Sequence, residues 1–325
     1  MNRPRLLPSV ILCASMLSGN LSATPLPVTQ VRNNMSFPFE LDEIDAYQNW
    51  RKQKLAHAAS LTSGGAGQIL VDIADPYALK PDERAAVLEN CRQHNMSLYR
   101  LPDAAGRDKS LVHSLGEQFG MSHLDANLRA DEDSVTSLEV RGQVGNQYIP
   151  YTNRALSWHT DGYYNELDKQ IFALIMHCVS PAAEGGVNHL LDPDIAYIAL
   201  RDENPAFIEA LMHPEAMTIP PNIENDKELR GAQTGPVFMK RPDGRMHMRY
   251  SARKRNIEWR DTPETLAAVD MINDLLANSE YVITHRMQTG QGIICNNVLH
   301  NRTGFEDSDS QKRLMYRARF YDYIK

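Results

Sequence analysis

The sequence predicts an α+β fold in which helices come first and a series of short strands follows, with a helical insertion between the strands. Before residue 130, β-rich runs alternate with patterns of helical spacing. After residue 130, short β-rich runs are separated by glycines and prolines, and two helical patterns interrupt them. This order is typical of a sandwich or jelly roll whose helices pack on the outside.

The first elements alternate between strand and helix. The β-rich run at residues 68–73 predicts a strand, and Pro81 marks the start of a helix because proline is tolerated in the first helical turn. Residues 97–101 predict a second strand. Residues 109–119 predict a second helix that ends at Gly120, since glycine is a common helix terminator.

The later elements are mostly strands. Apolar and β-branched runs predict strands at residues 134–141, 170–179, 245–251, 281–287, 292–296 and 313–321. Helical spacing near residues 194–212 and 263–276 predicts helices between them. The strand-rich half therefore carries a long insertion.

Residues 35–325 are predicted to form a single domain, because no repeat or low-complexity linker divides them. Residues 1–34 form a leader, either disordered or signal-like. Its basic start, short apolar run and small-residue end imitate a secretory signal, although the apolar run is too short to span a bilayer. The alternative is a functional chain that starts at Met35. We expect a cytoplasmic protein, or an exported one if the leader is a true signal.

The charge balance excludes one class of partner. The chain has 34 Lys and Arg against 41 Asp and Glu, a net charge of -7, which is the wrong sign for binding nucleic-acid phosphates. The four cysteines are too few and too scattered for a disulfide framework, and none forms a C-x-x-C pair. We expect a small-molecule partner, no nucleic acid and no membrane span; homo-oligomerisation is left open.

The segment around His159 carries the first chemical signal. In a strand, His159 and Asp161 are two residues apart, so both side chains point to the same side and can meet one metal ion. A lone H-x-D triplet is more often a surface turn or a hydrogen-bonded pair. His300 follows another β-rich run and would complete a group of two histidines and one carboxylate, the ligand set of non-haem Fe(II) oxygenases.

Arg313 gives the second signal. It opens the alternating strand at residues 313–321, thirteen residues after His300. A guanidinium buried inside a barrel is costly without a carboxylate partner. A dicarboxylate cosubstrate would supply that partner.

With these motifs together, the chain resembles the Fe(II)/2-oxoglutarate-dependent dioxygenases of the taurine dioxygenase, chlorophenoxyacetate dioxygenase and γ-butyrobetaine hydroxylase superfamily. The resemblance runs from about Gln68 to the C-terminus. It depends on five segments: His159-Thr-Asp161, Glu184-Gly-Gly-Val-Asn188, Arg249-Tyr-Ser-Ala-Arg253, Asn297-Val-Leu-His300 and the spacing of Arg313 after the distal histidine.

The resemblance implies a double-stranded β-helix, the clavaminate synthase-like jelly roll, with flanking helices and an inserted helical segment. It implies that His159, Asp161 and His300 bind Fe(II), with 2-oxoglutarate and O2 as cosubstrates. Arg313 would bind the distal carboxylate of 2-oxoglutarate through a bidentate pair. Asn188 falls where relatives often have a threonine that helps hold this carboxylate. The implied reaction is hydroxylation with release of succinate and CO2.

The substrate side is predicted from residues near these ligands. Trp158, Tyr163 and Tyr164 flank the first two ligands, and Arg317 shares a strand face with Arg313 because side chains alternate. An aromatic cage for a quaternary ammonium group is one interpretation. Arg317 and its neighbour Arg319 favour an anionic or zwitterionic substrate instead.

Two other classes of function compete with the oxygenase. A family member without turnover could bind metal or 2-oxoglutarate as a sensor or subunit, although an intact ligand set argues against this. A zinc hydrolase using the same ligands has no obvious general base and leaves Arg313 without a purpose.

Overall fold

The structure is a computed structural model that describes residues 38–102, 107–126, 134–140, 149–224, 226–241, 243–253 and 257–325. The predicted leader, residues 1–34, lies outside these described residues. The structural statements below concern the described part of the chain.

Six α-helices are present in the described ranges. They are α1 (Ile44–Gly64), α2 (Pro81–His94), α3 (Ser110–Gln118), α4 (Pro193–Glu203), α5 (Pro205–Met212) and α6 (Pro263–Asn278), with short 3₁₀ turns at Ala66–Ile69 and Ile149–Tyr151. Four of the helices start at a proline, whose missing N–H would be unpaired in the first turn anyway. The side chains of Asp192, Asn204 and Thr262 accept hydrogen bonds from the first backbone amides of α4, α5 and α6.

The strands of the described chain are short. They are β1 (Leu70–Asp72), β2 (Met96–Arg100), β3 (Thr136–Leu138), β4 (Leu156–His159), β5 (Ala173–Ser180), β6 (Glu184–Gly185), β7 (Asn188–Leu191), β8 (Met217–Ile219), β9 (Asn222–Glu224), β10 (Lys227–Arg230), β11 (Gln233–Gly235), β12 (Phe238–Lys240), β13 (Met246–Met248), β14 (Glu258–Trp259), β15 (Ile283–His285), β16 (Gln291–Cys295), β17 (Leu299–Arg302), β18 (Phe305–Glu306) and β19 (Leu314–Phe320).

Two sheets dominate the fold. The larger has the strand order β1-β2-β16-β5-β19-β3, and the smaller has the order β15-β7-β17-β4. Only the β1–β2 pair is parallel in these two sheets. Strands β8–β14 form smaller sheets that lie, in sequence, inside the insertion between β7 and β15.

Three apolar clusters show how the two large sheets and the helices pack in layers. One apolar cluster holds Leu174 and Met176 of β5 together with Leu190 of β7 and Ile283 of β15, so the two sheets face each other across it. A second cluster contains Ile175 of β5 and covers the other face of the larger sheet with α2 and α3. A third covers the other face of the smaller sheet with α4, α5 and α6. Both faces of β5 are covered, which explains its continuous apolar sequence.

The predicted elements differ from the structure in three places. The run at residues 68–73 begins as a 3₁₀ turn and becomes β1 only at Leu70. The helical region 194–212 is two helices, because Pro205 has no N–H with which to continue α4 and Asn204 caps a new helix. Helix α1 was not predicted, because the charged Lys54 interrupts its core-facing stripe of Tyr47, Trp50, Ala58 and Leu61.

The described residues also show the state of the cysteines and the character of the helices. The three cysteines of the described residues, Cys91, Cys178 and Cys295, are free and buried. Among the described helices, none is long and apolar enough to cross a bilayer.

Candidate metal centre

Two histidines meet across neighbouring strands of the smaller sheet. His300 on β17 lies directly opposite His159 on β4 in the antiparallel register, and their ring centroids are 4.3 Å apart. Asp161 follows β4 by two residues. One ligand atom from each of the three side chains lies within 4.8 Å of the others, and all three residues are buried.

The two imidazoles are oriented by backbone carbonyls. Nδ1 of His159 lies 2.9 Å from the carbonyl oxygen of Ser157, and Nδ1 of His300 lies 2.9 Å from that of Val298. A carbonyl only accepts, so each Nδ1 carries the proton and each Nε2 keeps a free lone pair. Burial and the neighbouring His159 lower the pKa of His300 to about 4, which keeps this ring neutral. In both rings, Nε2 is therefore the nitrogen that remains for a metal.

Asp161 is held by its backbone and is ionised. The side-chain oxygen of Asn297 accepts from the Asp161 N–H at 2.7 Å, and the side-chain amide of Asn297 donates to the Asp161 carbonyl at 2.9 Å. Burial alone would raise the pKa of Asp161, but the charge of Arg317 and the nearby His159 side chain hold it well below the usual range. Its Oδ2 is buried and has no hydrogen-bond partner in the described structure.

That unpartnered oxygen provides the test of fit for a metal ion. A buried carboxylate oxygen without a partner is costly unless a cation or a donor satisfies it. Two neutral imidazole nitrogens and one carboxylate are a ligand set that suits Fe(II). The residues present therefore fit the ion.

Arg313 lies beside a narrow cavity of the described fold. It is 5% exposed, and its Nη1 is buried without a hydrogen-bond partner among the described residues. Burial lowers its pKa to about 10, so the guanidinium remains charged at neutral pH. The cavity is also lined by Gly185, Gly186, Asn188 and Arg286. A free carboxylate would satisfy the unpartnered nitrogen.

Gly185 and Gly186 form a tight turn at this cavity, where the chain passes close to the backbone of Gly304. Gly185 and Gly186 have φ angles of 71° and 68°, a left-handed conformation that disfavours other residues. A Cβ on Gly185 would lie 2.3 Å from the carbonyl oxygen of Gly304. This turn leads directly into β7, whose first residue is Asn188. The amide of Asn188 donates to the Asn301 carbonyl at 3.2 Å.

Arg317 and Arg319 both lie on the buried face of β19, but their partners differ. Arg317 Nη1 is 3.3 Å from Asp161 Oδ1, and its Nε has no hydrogen-bond partner in the described chain. Arg319 pairs with Asp125 and donates to the Tyr164 hydroxyl at 2.9 Å. Arg319 is therefore paired with a carboxylate outside the His–Asp–His group, whereas Arg317 is paired with Asp161 of that group.

The three aromatic residues named from the sequence do not all reach the metal side. Tyr163 is buried, and its ring centroid lies 6.3 Å from that of His159 and 5.1 Å from that of Tyr164. Trp158 precedes His159 on β4 and therefore points to the opposite face, where it packs against the helix-covered cluster and His189. The structure thus places Tyr163 beside His159 and Tyr164 beside Tyr163, whereas Trp158 points away from the histidines.

The sequence profile of the taurine catabolism dioxygenase TauD, TfdA family matches residues 57–319. The chain belongs to this family.

One relative and two solved structures are also similar to this chain. A uridine-5'-phosphate dioxygenase from a Streptomyces species is 27% identical over 255 residues, which is 74% of this chain and 89% of the relative. Asparagine oxygenase in complex with Fe(II), hydroxyasparagine and succinate has a TM-score of 0.54 at 14% identity, covering 83% of this chain and 90% of the other. The iron oxygenase OrfP with Fe, succinate and hydroxyarginine has a TM-score of 0.55 at 16% identity, covering 74% and 81%. The two structures show a shared fold.

As a TauD/TfdA-family member, the protein is an oxidoreductase, a dioxygenase that uses Fe(II) and 2-oxoglutarate. The family assignment agrees with the buried His–Asp–His group of the structure.

One functional candidate of this dioxygenase was missed from the sequence. Arg302 is 4% exposed, lies near the Phe305 ring (4.7 Å to the centroid) and donates to the backbone carbonyls of Thr152 and Arg154, just before β4. Burial and the charge of Arg313 lower its pKa to about 9. Arg302 therefore places a second buried cation near Arg313. Its position two residues after His300, on the same strand face, was the available signal.

Proposed function

We propose that the protein hydroxylates a small polar substrate, anionic or zwitterionic, with conversion of 2-oxoglutarate to succinate and CO2. In this proposal His159, Asp161 and His300 bind Fe(II), and Arg313 and Asn188 bind the distal carboxylate of 2-oxoglutarate. The observation that carries the proposal is the convergence of three buried metal-ligand side chains, together with the buried Arg313, whose Nη1 has no hydrogen-bond partner among the described residues.

The protein residues have separate tasks in this mechanism. When bound, iron and 2-oxoglutarate supply the oxidising chemistry with O2. The carbonyls of Ser157 and Val298 fix the two imidazole tautomers, and Asn297 fixes the backbone of Asp161. Burial of all three ligand residues excludes water from the reacting region. The retained carboxylate of Asp161 favours hydroxylation over halogenation.

Arg317 supports the choice of an anionic group on the substrate. Its Nε is buried and unpartnered among the described residues, and its Nη1 faces Asp161. We propose that it meets a substrate anion near the iron, with Tyr163 and Tyr164 on the adjacent wall. Trp158 was the third aromatic residue of this prediction, and its position on the opposite face of β4 supports a packing role instead. The relative named for uridine 5'-phosphate provides a model anion to test.

The finer architecture belongs to the same proposal. We propose that the two large sheets form the double-stranded β-helix, or jelly roll, of this fold class, and that residues 35–325 act as one domain. Cytoplasmic location is proposed for the protein, with export as the alternative if residues 1–34 are a signal. Homo-oligomers remain compatible with the proposal.

The experiment measures succinate release from 2-oxoglutarate with Fe(II) and ascorbate. The panel is taurine, L-asparagine, L-arginine and uridine 5'-phosphate. We expect at least one compound to stimulate release, and we expect His159→Ala to abolish it even with excess Fe(II). His113→Ala is the matched control, because His113 lies on α3 with a side chain that is 43% exposed.

The same measurement distinguishes an oxygenase from a family member that binds metal or 2-oxoglutarate as a sensor without turnover. If the wild-type protein binds Fe(II) and 2-oxoglutarate but releases no succinate with or without any compound, the sensor function is favoured. If it binds neither, the site assignment is wrong.

A further inference from the structure

Ser251 is a buried residue whose hydroxyl is unpaired among the described residues. It lies in the loop after β13 and is 1% exposed, and its Oγ has no hydrogen-bond partner among the described residues. An unsatisfied buried hydroxyl is costly and calls for a partner.

The backbone places Ser251 directly beside a metal ligand. Ser251 and His159 form an isolated antiparallel bridge. The Thr160 N–H donates to the Tyr250 carbonyl at 3.0 Å, and the Ala252 N–H donates to the Trp158 carbonyl at 2.8 Å. This pattern makes His159 and Ser251 a non-hydrogen-bonded pair, in which the two side chains lie on the same face and especially close together.

The register also shows which side of the metal Ser251 occupies. Going across the sheet from Ser251, the residues directly opposite one another are His159, His300 and Leu190. Asn188 lies two residues from Leu190 on the same face of β7 and lines the Arg313 cavity. Ser251 and the cavity proposed for 2-oxoglutarate are therefore on opposite sides of His159.

The neighbouring protein groups do not use the hydroxyl. His159 Nδ1 already faces the Ser157 carbonyl, and its Nε2 faces the metal position near Asp161. Two residues after Ser251, Arg253 Nη1 donates to the Tyr163 hydroxyl at 3.3 Å. On the side of His159 away from the 2-oxoglutarate cavity, the unpaired hydroxyl thus lies two residues from Arg253, which contacts Tyr163, one of the residues already proposed for the substrate.

We propose that the Ser251 hydroxyl is a specificity-determining contact that hydrogen-bonds a polar group of the substrate next to the metal. The inference rests on the proposed function and deepens it. A hydroxyl can donate to a carboxylate, sulfonate or phosphate oxygen and can accept from an ammonium group. Substrates that present such a group are favoured, because an analogue without it leaves the hydroxyl buried and unpaired.

The test is a binding titration with Ser251→Ala. Taurine, L-asparagine, L-arginine and uridine 5'-phosphate are titrated into protein loaded with Mn(II) and N-oxalylglycine, which does not turn over. For the compound that wild-type protein binds most tightly, we expect Ser251→Ala to raise the Kd roughly tenfold. We expect Ser251→Thr, which keeps a hydroxyl, to restore part of the affinity. The Kd of N-oxalylglycine is expected to stay unchanged in both variants.

Two matched variants provide the controls. Asn188→Ala, on the other side of His159, is expected to show the reverse pattern and weaken N-oxalylglycine. Ser97→Ala removes another fully buried serine hydroxyl, but this one donates to the Ile69 carbonyl at 3.2 Å. We therefore expect Ser97→Ala to lower the Tm and Ser251→Ala not to lower it.

Three results would overturn the inference: a Tm loss in Ser251→Ala as large as in Ser97→Ala, an unchanged Kd for the bound compound, or weaker binding of N-oxalylglycine. If wild-type protein binds N-oxalylglycine but none of the four compounds, the proposed substrate class is contradicted instead. The Tm comparison then still decides whether the Ser251 hydroxyl is a structural group.

Discussion

Replacing Arg313 with methionine should separate ligand binding from folding stability. In the ligand-free protein the guanidinium is 5% exposed, with Nη1 unpartnered in the described structure, and it lies near the positively charged Arg302. Methionine removes a buried charge whose Nη1 is unpaired and keeps an apolar side chain that can pack on the Phe305 ring, which lies 5.2 Å from the guanidinium. Burying an unpaired charge is unfavourable, so we expect the Tm of Arg313→Met to equal or exceed that of the wild type.

The effect on binding should have the opposite sign. Truncating one partner of a buried, hydrogen-bonded charge pair costs about 2–5 kcal/mol, because the other charge is left buried without its partner. This corresponds to a loss of affinity of at least about 30-fold. We expect that loss for N-oxalylglycine, measured by calorimetry on Mn(II)-loaded protein. Arg313→Lys keeps the charge but not the two-pronged geometry and should be intermediate.

Either of two results for Arg313→Met would contradict these expectations. An unchanged Kd for N-oxalylglycine in Arg313→Met would show that the carboxylate binds elsewhere. A clear fall in Tm would show that the guanidinium already has a stabilising partner in the ligand-free fold. The Mn(II) affinity, measured first and without N-oxalylglycine, controls for damage to the metal ligands.

Three other substitutions test the supports of the site and fold. Asn297→Ala removes both side-chain contacts to the Asp161 backbone and should weaken Mn(II) binding about 10–100-fold; unchanged affinity would refute the positioning role. Burial lowers the pKa of His247 from 6.5 to about 3. Between pH 6.5 and about pH 3, the unfolded state therefore binds more protons than the folded state. The free energy of unfolding should therefore decrease by up to about 5 kcal/mol as the pH falls over this range. His247→Gln should make this decrease smaller when the free energy of unfolding is measured by urea denaturation at several acid pH values. Lys54→Met leaves two buried carboxylates that Lys54 contacts at 2.6 and 2.8 Å and should cost about 3–5 kcal/mol in urea unfolding; an unaffected midpoint would contradict it.

The fold could be predicted where local patterns decide it. Strand β5 and helix α6 have continuous or periodic apolar residues, so their approximate positions follow from the sequence. Helix α1 gives a weaker pattern, because one position of its core-facing stripe is the charged Lys54, whereas Trp50 and Ala58 on the same stripe pack against the apolar core. The partners of Lys54, Asp192 and Asp194, come from the cap and first turn of α4. An apolar stripe that is interrupted by a buried ion pair with a distant helix is harder to recognise in the helix's own sequence.

The metal group could be proposed from the sequence because two of its members are local. His159 and Asp161 are two residues apart, and only His300 had to be brought from elsewhere. Strand alternation also explains why Trp158 was a poor candidate, since the residue next to a metal-facing histidine on a strand points away from the metal. Tyr163 lies beyond the strand, in a turn, where alternation no longer applies.

Ser251 and Arg302 show what the sequence could not supply. Both are neighbours of metal ligands, but Arg302 is a neighbour along β17, whereas Ser251 is a neighbour only through one isolated bridge across the sheet. A shift of one residue in that bridge would place Tyr250 or Ala252 beside His159 and turn the Ser251 hydroxyl to the opposite face. The proposed contact between substrate and protein therefore depends on register, which is held by hydrogen bonds that join Trp158 and Thr160 to residues 250–252, about 90 positions later in the chain.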